Sequence, residues 1–111
     1  MKISKVFPLL IAKAERKGRT IEEVYAVTTW LTGYTHDGLD ALLKSEASYG
    51  DFLDNAPAMN PARFNVKGSI CGVRVEEMAD PRMRDLRILD KLVDELAKGK
   101  SLERIIGKYT V

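Results

Sequence analysis

The sequence has little of the two side chains that most often build catalytic and metal centres, cysteine and histidine. Cys71 is the single thiol and His36 the single imidazole. One cysteine excludes an internal disulfide framework, and the two residues together are too few for a multi-cysteine or histidine-rich metal site. We therefore expect no metal and no cofactor. A lone thiol is typical of a protein in the reducing cytoplasm.

Long hydrophobic runs are also missing. The apolar run near the start, residues 6–12, is followed directly by Lys13 and Glu15. It is too short to span a membrane, and it lacks the small residues of a signal-peptide cleavage site. We therefore expect a cytoplasmic protein without a membrane partner.

The residues that are present suffice for one domain, which we predict over residues 1–111. Hydrophobic residues make up 45% of the chain and charged residues 31%, as in ordinary globular domains. The net charge of +2 conceals an uneven distribution, because residues 1–20 carry +5, residues 21–56 carry −6 and residues 98–111 carry +3. If the chain termini lie close together, they form a basic face opposite an acidic one.

Capping signals predict a mainly helical fold. Thr20 and Glu23 form a capping box, and Asp80 followed by Pro81 starts the longest helix. Pro8 is compatible with the first helix only within its first turn. The predicted helices cover about residues 4–17, 20–33, 37–45 and 81–98, with short ones after Ser48 and Ser101. We predict an irregular bundle of about five helices.

Residues 64–75 depart from the helical pattern. Valine and isoleucine are frequent there, which favours strand, but Gly68 and Gly72 interrupt the run. We predict an extended segment that crosses the bundle, or one short β-hairpin.

Two corners of the chain share one pattern. Residues 17–20 and 98–101 both read base, glycine, base, hydroxyl, so that a glycine ends one helix and a hydroxyl residue caps the next. A helix N-terminus attracts anions, and each corner adds a base beside it. If the corners are neighbours, they form a site for a phosphate or a nucleic-acid backbone; the alternative is ordinary capping with solubilising charge. The candidate contacts are Arg19, Thr20, Lys100 and Ser101.

Trp30 is a further candidate contact to a partner. With Tyr25 and Tyr34 it makes an aromatic-rich stretch, and tryptophan is enriched at binding hot spots. The alternative is that Trp30 anchors the core, as the lone tryptophan of a small domain more often does.

Cys71 and His36 are the candidates for catalysis. Cys71 would serve as the nucleophile and His36 as its base, with Asp37 beside it to orient the ring. The ordinary alternatives are a cysteine packed as a small hydrophobe and a histidine exposed at a helix start.

Four segments carry a resemblance to a known family. Residues 13–20, 30–34, 71–77 and 89–100 resemble a family of small bacterial proteins, domain of unknown function 2200, over nearly the whole chain. The resemblance implies a bacterial, stand-alone cytoplasmic protein. It supplies no activity, cofactor or catalytic residue for this chain. Thr29 stands where the resemblance leads us to expect a cysteine, which argues against a mechanism with two cysteines.

The sequence leaves three functional hypotheses. The first is a non-enzymatic binding module whose basic face contacts an anionic partner, either nucleic acid or an acidic protein surface. The alternative is a small enzyme that uses Cys71 as its nucleophile. The third is self-association, in which the acidic middle of one copy contacts the basic ends of another.

Overall fold

Six α-helices form most of the structure, a computed structural model that describes residues 2–70 and 72–110. The α-helices are α1 (Ile3–Glu15), α2 (Ile21–Thr32), α3 (His36–Leu43), α4 (Tyr49–Asp54), α5 (Pro81–Ala97) and α6 (Leu102–Tyr109). Short 3₁₀ turns cover Pro61–Asn65 and Val75–Glu77. The predicted mainly helical bundle is confirmed. None of the described helices is long and apolar enough to cross a membrane.

The helix starts follow the capping signals. At Thr20 and at Ser48 both halves of a capping box are present. The Asp80 carboxylate accepts from the backbone N–H groups of Arg82 and Met83, with Pro81 in the first helical position. Each start satisfies N–H groups that no carbonyl inside the helix can reach.

Helix α5 is the central element. It packs against α1, α2, α4 and α6, and it buries the apolar residues Ile88, Leu89, Leu92, Val93 and Leu96. Each of these five is fully inaccessible to solvent. Because these four helices pack against α5, their positions along α5 decide which helix ends lie next to one another.

Helices α1 and α5 lie side by side and run in the same direction. Near their starts, Val6 and Met83 line one cleft. Further along, Lys13 lies within 3.7 Å of a carboxylate oxygen of Asp90, and Lys17 and Lys98 line a single groove beyond the helix ends. We call this line of contact the α1–α5 seam. It brings the C-terminal ends of the two helices to one end of the molecule.

The position of Pro8 differs from the prediction. Helix α1 begins at Ile3, so Pro8 is its sixth residue and lies beyond the first turn. The helix starts early because Lys2 pairs with Ser48 in an isolated β-bridge and Ile3 is fully buried. Pro8 is exposed, so water can bond the Ser4 carbonyl that a proline cannot pair.

The predicted hairpin is present in residues 64–75. Strands β1 (Ser69–Ile70) and β2 (Val73–Arg74) pair antiparallel, and the chain reverses through Gly72, whose φ is +79°. Ile70 joins the hydrophobic core from this segment. The first residues of the segment instead belong to the 3₁₀ turn Pro61–Asn65.

Candidate functional site

The two glycine corners lie at the same end of the molecule. Gly18 follows α1 and Gly99 follows α5, with φ of +79° and +97°, values that a residue with a side chain rarely adopts. Lys17 and Lys98, which precede these glycines, line one surface groove. The seam between α1 and α5 therefore brings the two corners together.

This groove is lined mainly by bases. It has a volume of about 830 Å³. It is bordered by Lys13 in the last turn of α1, by Arg16 and Lys17 just after α1, and by Asp94, Ala97 and Lys98 at the end of α5. We call it the basic groove. Four cationic side chains face a single carboxylate there, so its local charge favours an anion.

Asp94 is already neutralised within the protein. Its carboxylate lies 2.9 Å from Lys98 Nζ and 3.5 Å from Lys13 Nζ. Burial alone would raise the pKa of Asp94, but hydrogen bonds and attraction from Lys98 and Lys13 lower it. The acid therefore stays ionised and offsets part of the charge of those two lysines.

Arg16 and Lys17 have no such partner among residues 2–70 and 72–110. Neither lies within salt-bridge distance of a described carboxylate, and both are exposed. Arg16 donates from Nε to the Ala12 carbonyl at 3.3 Å. Bases at a helix C-terminus also offset its partial negative charge, so these two side chains contribute to the helix and remain accessible to a partner.

The residues predicted from the corner pattern make contacts inside their own corners. Arg19 forms an ion pair with Glu23, and Thr20 caps α2. Lys100 donates to Glu95 at 2.9 Å. Ser101 accepts from the Arg104 N–H at 3.2 Å. Binding by Arg19, Thr20, Lys100 and Ser101 remains a prediction.

Sequence reasoning missed Lys13 and Arg16 as members of the groove. The available signal was that Lys13 precedes Arg16 by three residues and Lys17 by four, because residues three and four apart share one face of a helix. The spacing does not show which helix packs opposite this face, because that depends on the tertiary fold.

Glu95 anchors the second corner. Its side chain is 3% exposed, and it accepts hydrogen bonds from Lys100 and from the Tyr109 hydroxyl at 2.8 Å. Lys108 Nζ lies 3.7 Å away. Burial alone would raise the pKa of Glu95, but the hydrogen bonds from Lys100 and Tyr109 and the charges of Lys100 and Lys108 lower it. This carboxylate therefore ties both ends of α6 to α5.

Trp30 is half-buried and contacts the end of the described chain. Its indole Nε1 donates to Thr110 Oγ1 at 3.1 Å, and the ring packs against the hydrophobic core. Tyr25 and Tyr34 make their ring contacts elsewhere, with Phe7 and His36 for Tyr25 and with Phe52 for Tyr34. A role for Trp30 in binding a partner remains a prediction.

His36 is exposed and pairs one turn along its own helix. Its Nδ1 lies 3.3 Å from an Asp40 carboxylate oxygen, so the orienting acid is Asp40 and not the adjacent Asp37. Tyr25 donates to the same carboxylate at 2.6 Å. Cys71, the predicted nucleophile, lies outside the described residues, so the catalytic pair with His36 stays a prediction.

His36, Asp37 and Asp40 place three potential metal ligand atoms within 4.8 Å of one another. His36 and Asp37 are in the first turn of α3 and Asp40 follows one turn later, at the end of the helix whose partial positive charge opposes a cation. His36 and Asp37 are also exposed, whereas a tight site needs a fourth converging ligand. We assign no metal here.

Comparison with known proteins identifies the family. The model of domain of unknown function 2200, described as uncharacterized proteins conserved in bacteria, matches residues 1–107. The chain belongs to this family. Comparison with curated proteins gives no match.

A crystal structure of the uncharacterized protein SP1917 has the same fold. It is 50% identical to this chain, with a TM-score of 0.97 over 100% of this chain and 91% of that one. Membership of domain of unknown function 2200 and this likeness fix the fold but name no ligand.

Proposed function

We propose that this protein is a non-enzymatic binding module that uses the basic groove to contact an anionic partner. The observation that supports it is the convergence of Lys13, Arg16, Lys17 and Lys98 on one groove from two separate helices. Four cations against one neutralised acid attract phosphate or carboxylate groups and speed their encounter.

The accessible charge of Arg16 and Lys17 is the specific part of the proposal. Since no described carboxylate pairs with either side chain, an incoming anion need not displace an internal partner. Lys13 and Lys98 flank them and are partly occupied by Asp94. The proposal places the protein in the cytoplasm, where its single cysteine would stay reduced.

Binding of polyanions at two salt concentrations tests the proposal. Fluorescence anisotropy would follow labelled heparin, single-stranded DNA and poly-glutamate at about 50 mM and about 200 mM salt. We expect saturable binding of at least one of them that weakens as salt rises. The double variant Arg16→Glu with Lys17→Glu should weaken it by about tenfold or more.

A charge-matched variant controls for the general field of the protein. Lys5→Glu changes charge on the exposed part of the same helix, far from the groove, so its effect should be much smaller because of screening. Absence of binding at low salt, or equal losses in Lys5→Glu and in the single Lys17→Glu variant, would contradict the proposal.

A further inference from the structure

We infer that the partner of the basic groove is an acidic protein segment that inserts one large apolar side chain into a cleft on the same seam. This inference rests on the proposed function and specifies its partner. The two sites lie on one line. The cleft is formed by the earlier parts of α1 and α5 together with Tyr49 of α4, and the groove by the C-terminal ends of α1 and α5 and the residues just after them.

The cleft is suited to a single aliphatic or aromatic side chain. Its volume is about 220 Å³, larger than the roughly 150 Å³ cavity that accepts a benzene molecule and smaller than the roughly 300 Å³ at which drug-sized pockets begin. Four apolar residues line it: Val6, Leu10, Met83 and Leu86. Met83, at 40% exposure, leaves its rim open to a partner.

Three polar groups border the same cleft without strong partners of their own. Within the described chain the Tyr49 hydroxyl makes no hydrogen bond, and burial raises its pKa, so it stays a proton donor. Arg87 and Asp90 approach each other only to 3.7 Å, and Lys13 lies a further 3.7 Å from Asp90. Two donors and one acceptor match the needs of a peptide backbone beside its anchoring side chain.

The distance between cleft and groove suits one short extended segment. Val6 and Lys17 are separated by about 16 Å along α1, at about 1.5 Å for each residue. An extended chain covers that distance in about five residues. Lys13 lies between the two sites, within 3.7 Å of Asp90 and 3.5 Å of Asp94, so the acids of the seam are screened where the segment would pass.

The lining of the cleft favours a peptide over a nucleic acid. Single-stranded nucleic acids are held by exposed aromatic faces on which the bases stack. Tyr49 is the one aromatic residue among the described residues that line the seam, and its ring already packs near Phe52, with centroids 5.8 Å apart. Aliphatic walls instead fit an apolar side chain, as in hot spots of protein interfaces.

A set of matched peptides tests the inference. The probe is a labelled peptide of about eight residues with one leucine followed by a run of glutamates. In one control serine replaces the leucine, and in the other glutamine replaces the glutamates. We expect the leucine-glutamate peptide to bind about ten- to a hundredfold more tightly than the serine version, because the leucine becomes buried. The glutamine version should lose its salt dependence.

Variants of the protein locate the anchor. Met83→Trp fills the cleft and should abolish the advantage of leucine over serine, while Leu9→Trp, at a position 63% exposed and outside the cleft, should keep it. Tyr49→Phe should weaken the leucine peptide by about two- to tenfold through the lost hydroxyl. Circular dichroism confirms that each variant folds.

The outcomes separate this inference from the proposed function. Equal affinities for the leucine and serine peptides, with binding still lost in the Arg16 and Lys17 variants, would overturn the apolar anchor and leave the basic groove. DNA that binds far more tightly than either peptide would identify a nucleic-acid partner and overturn the inference. If no polyanion binds at low salt, both fail.

Discussion

The corner at Gly18 and the corner at Gly99 have the same backbone form and different attachments. Each ends a helix with a glycine of positive φ and begins the next with a hydroxyl cap. At the first corner the base, Arg19, pairs with Glu23 one turn away on the next helix. At the second, Lys100 pairs with the nearly inaccessible Glu95. The shared sequence pattern therefore determines the backbone of the turn, whereas the burial of the paired carboxylate decides how much each corner contributes to the free energy of unfolding.

The largest effect is expected at Glu95, the buried carboxylate that distinguishes the second corner from the first. Glu95→Gln should lower the free energy of unfolding by about 2 to 4 kcal/mol, because it removes the charge from a buried hydrogen-bonded group and leaves Lys100 and Tyr109 with a weaker acceptor. Urea denaturation followed by circular dichroism measures the change.

The matched change at the first corner is Glu23→Gln. Glutamine preserves the capping box and removes only a partly exposed ion pair, so we expect a loss below about 1 kcal/mol. Equal losses in the two variants would show that Glu23 and Glu95 contribute equally to the free energy of unfolding, contrary to what their different burial leads us to expect.

The second effect appears as pH is lowered. The pKa of Glu95 is lowered in the folded state. The ionised carboxylate therefore contributes fully to the free energy of unfolding above its pKa in the unfolded chain, about 4.3, and this contribution is lost as pH falls through the folded pKa. The difference in unfolding free energy between wild type and Glu95→Gln should therefore be constant from about pH 7 to 5 and shrink below about pH 4. A difference that stays constant down to about pH 3 would argue against an ionised Glu95.

The smallest difference between the two corners is expected at their glycines. Alanine at Gly18 or at Gly99 meets no atom within 4 Å, so each substitution costs only the strain of a positive φ, about 1 kcal/mol. Thermal unfolding of Gly18→Ala and Gly99→Ala should give losses equal within about 0.5 kcal/mol. Unequal losses would mean that the corners also differ in their backbone requirement.

Local features of this fold could be predicted because their partners lie within a few residues. The caps at Thr20 and Ser48 join atoms three residues apart, and the hairpin around Gly72 joins adjacent strands. Such contacts depend on residue type and spacing alone. The main local error was at Pro8, where burial of Ile3 and the bridge from Lys2 extended the helix beyond what its own sequence favours.

The candidate sites could be predicted only in part, because they depend on which helices become neighbours. The basic character of both corners was visible, but the groove needs α1 and α5 to lie side by side. The cleft is formed by α1, α4 and α5 together, and no periodicity within one helix indicates that. The partner of His36 could have been predicted from the sequence, because Asp40 lies one turn along the same helix and side chains at i and i+4 are neighbours on a helix.

The parallel packing of α1 and α5 also has a consequence for how the chain folds. Two adjacent parallel helices need a long connection, and here the whole middle of the protein lies between them. The contacts of α1 with α5 are therefore non-local and carry a loop-closure cost that short helical hairpins avoid. During synthesis α1 emerges well before α5, so Val6 and Leu10, which face α5 across the cleft, lack that cover until α5 has left the ribosome. Helix α1 is therefore made before the helix that completes its enclosure, and a chaperone that protects its α5-facing side would act early.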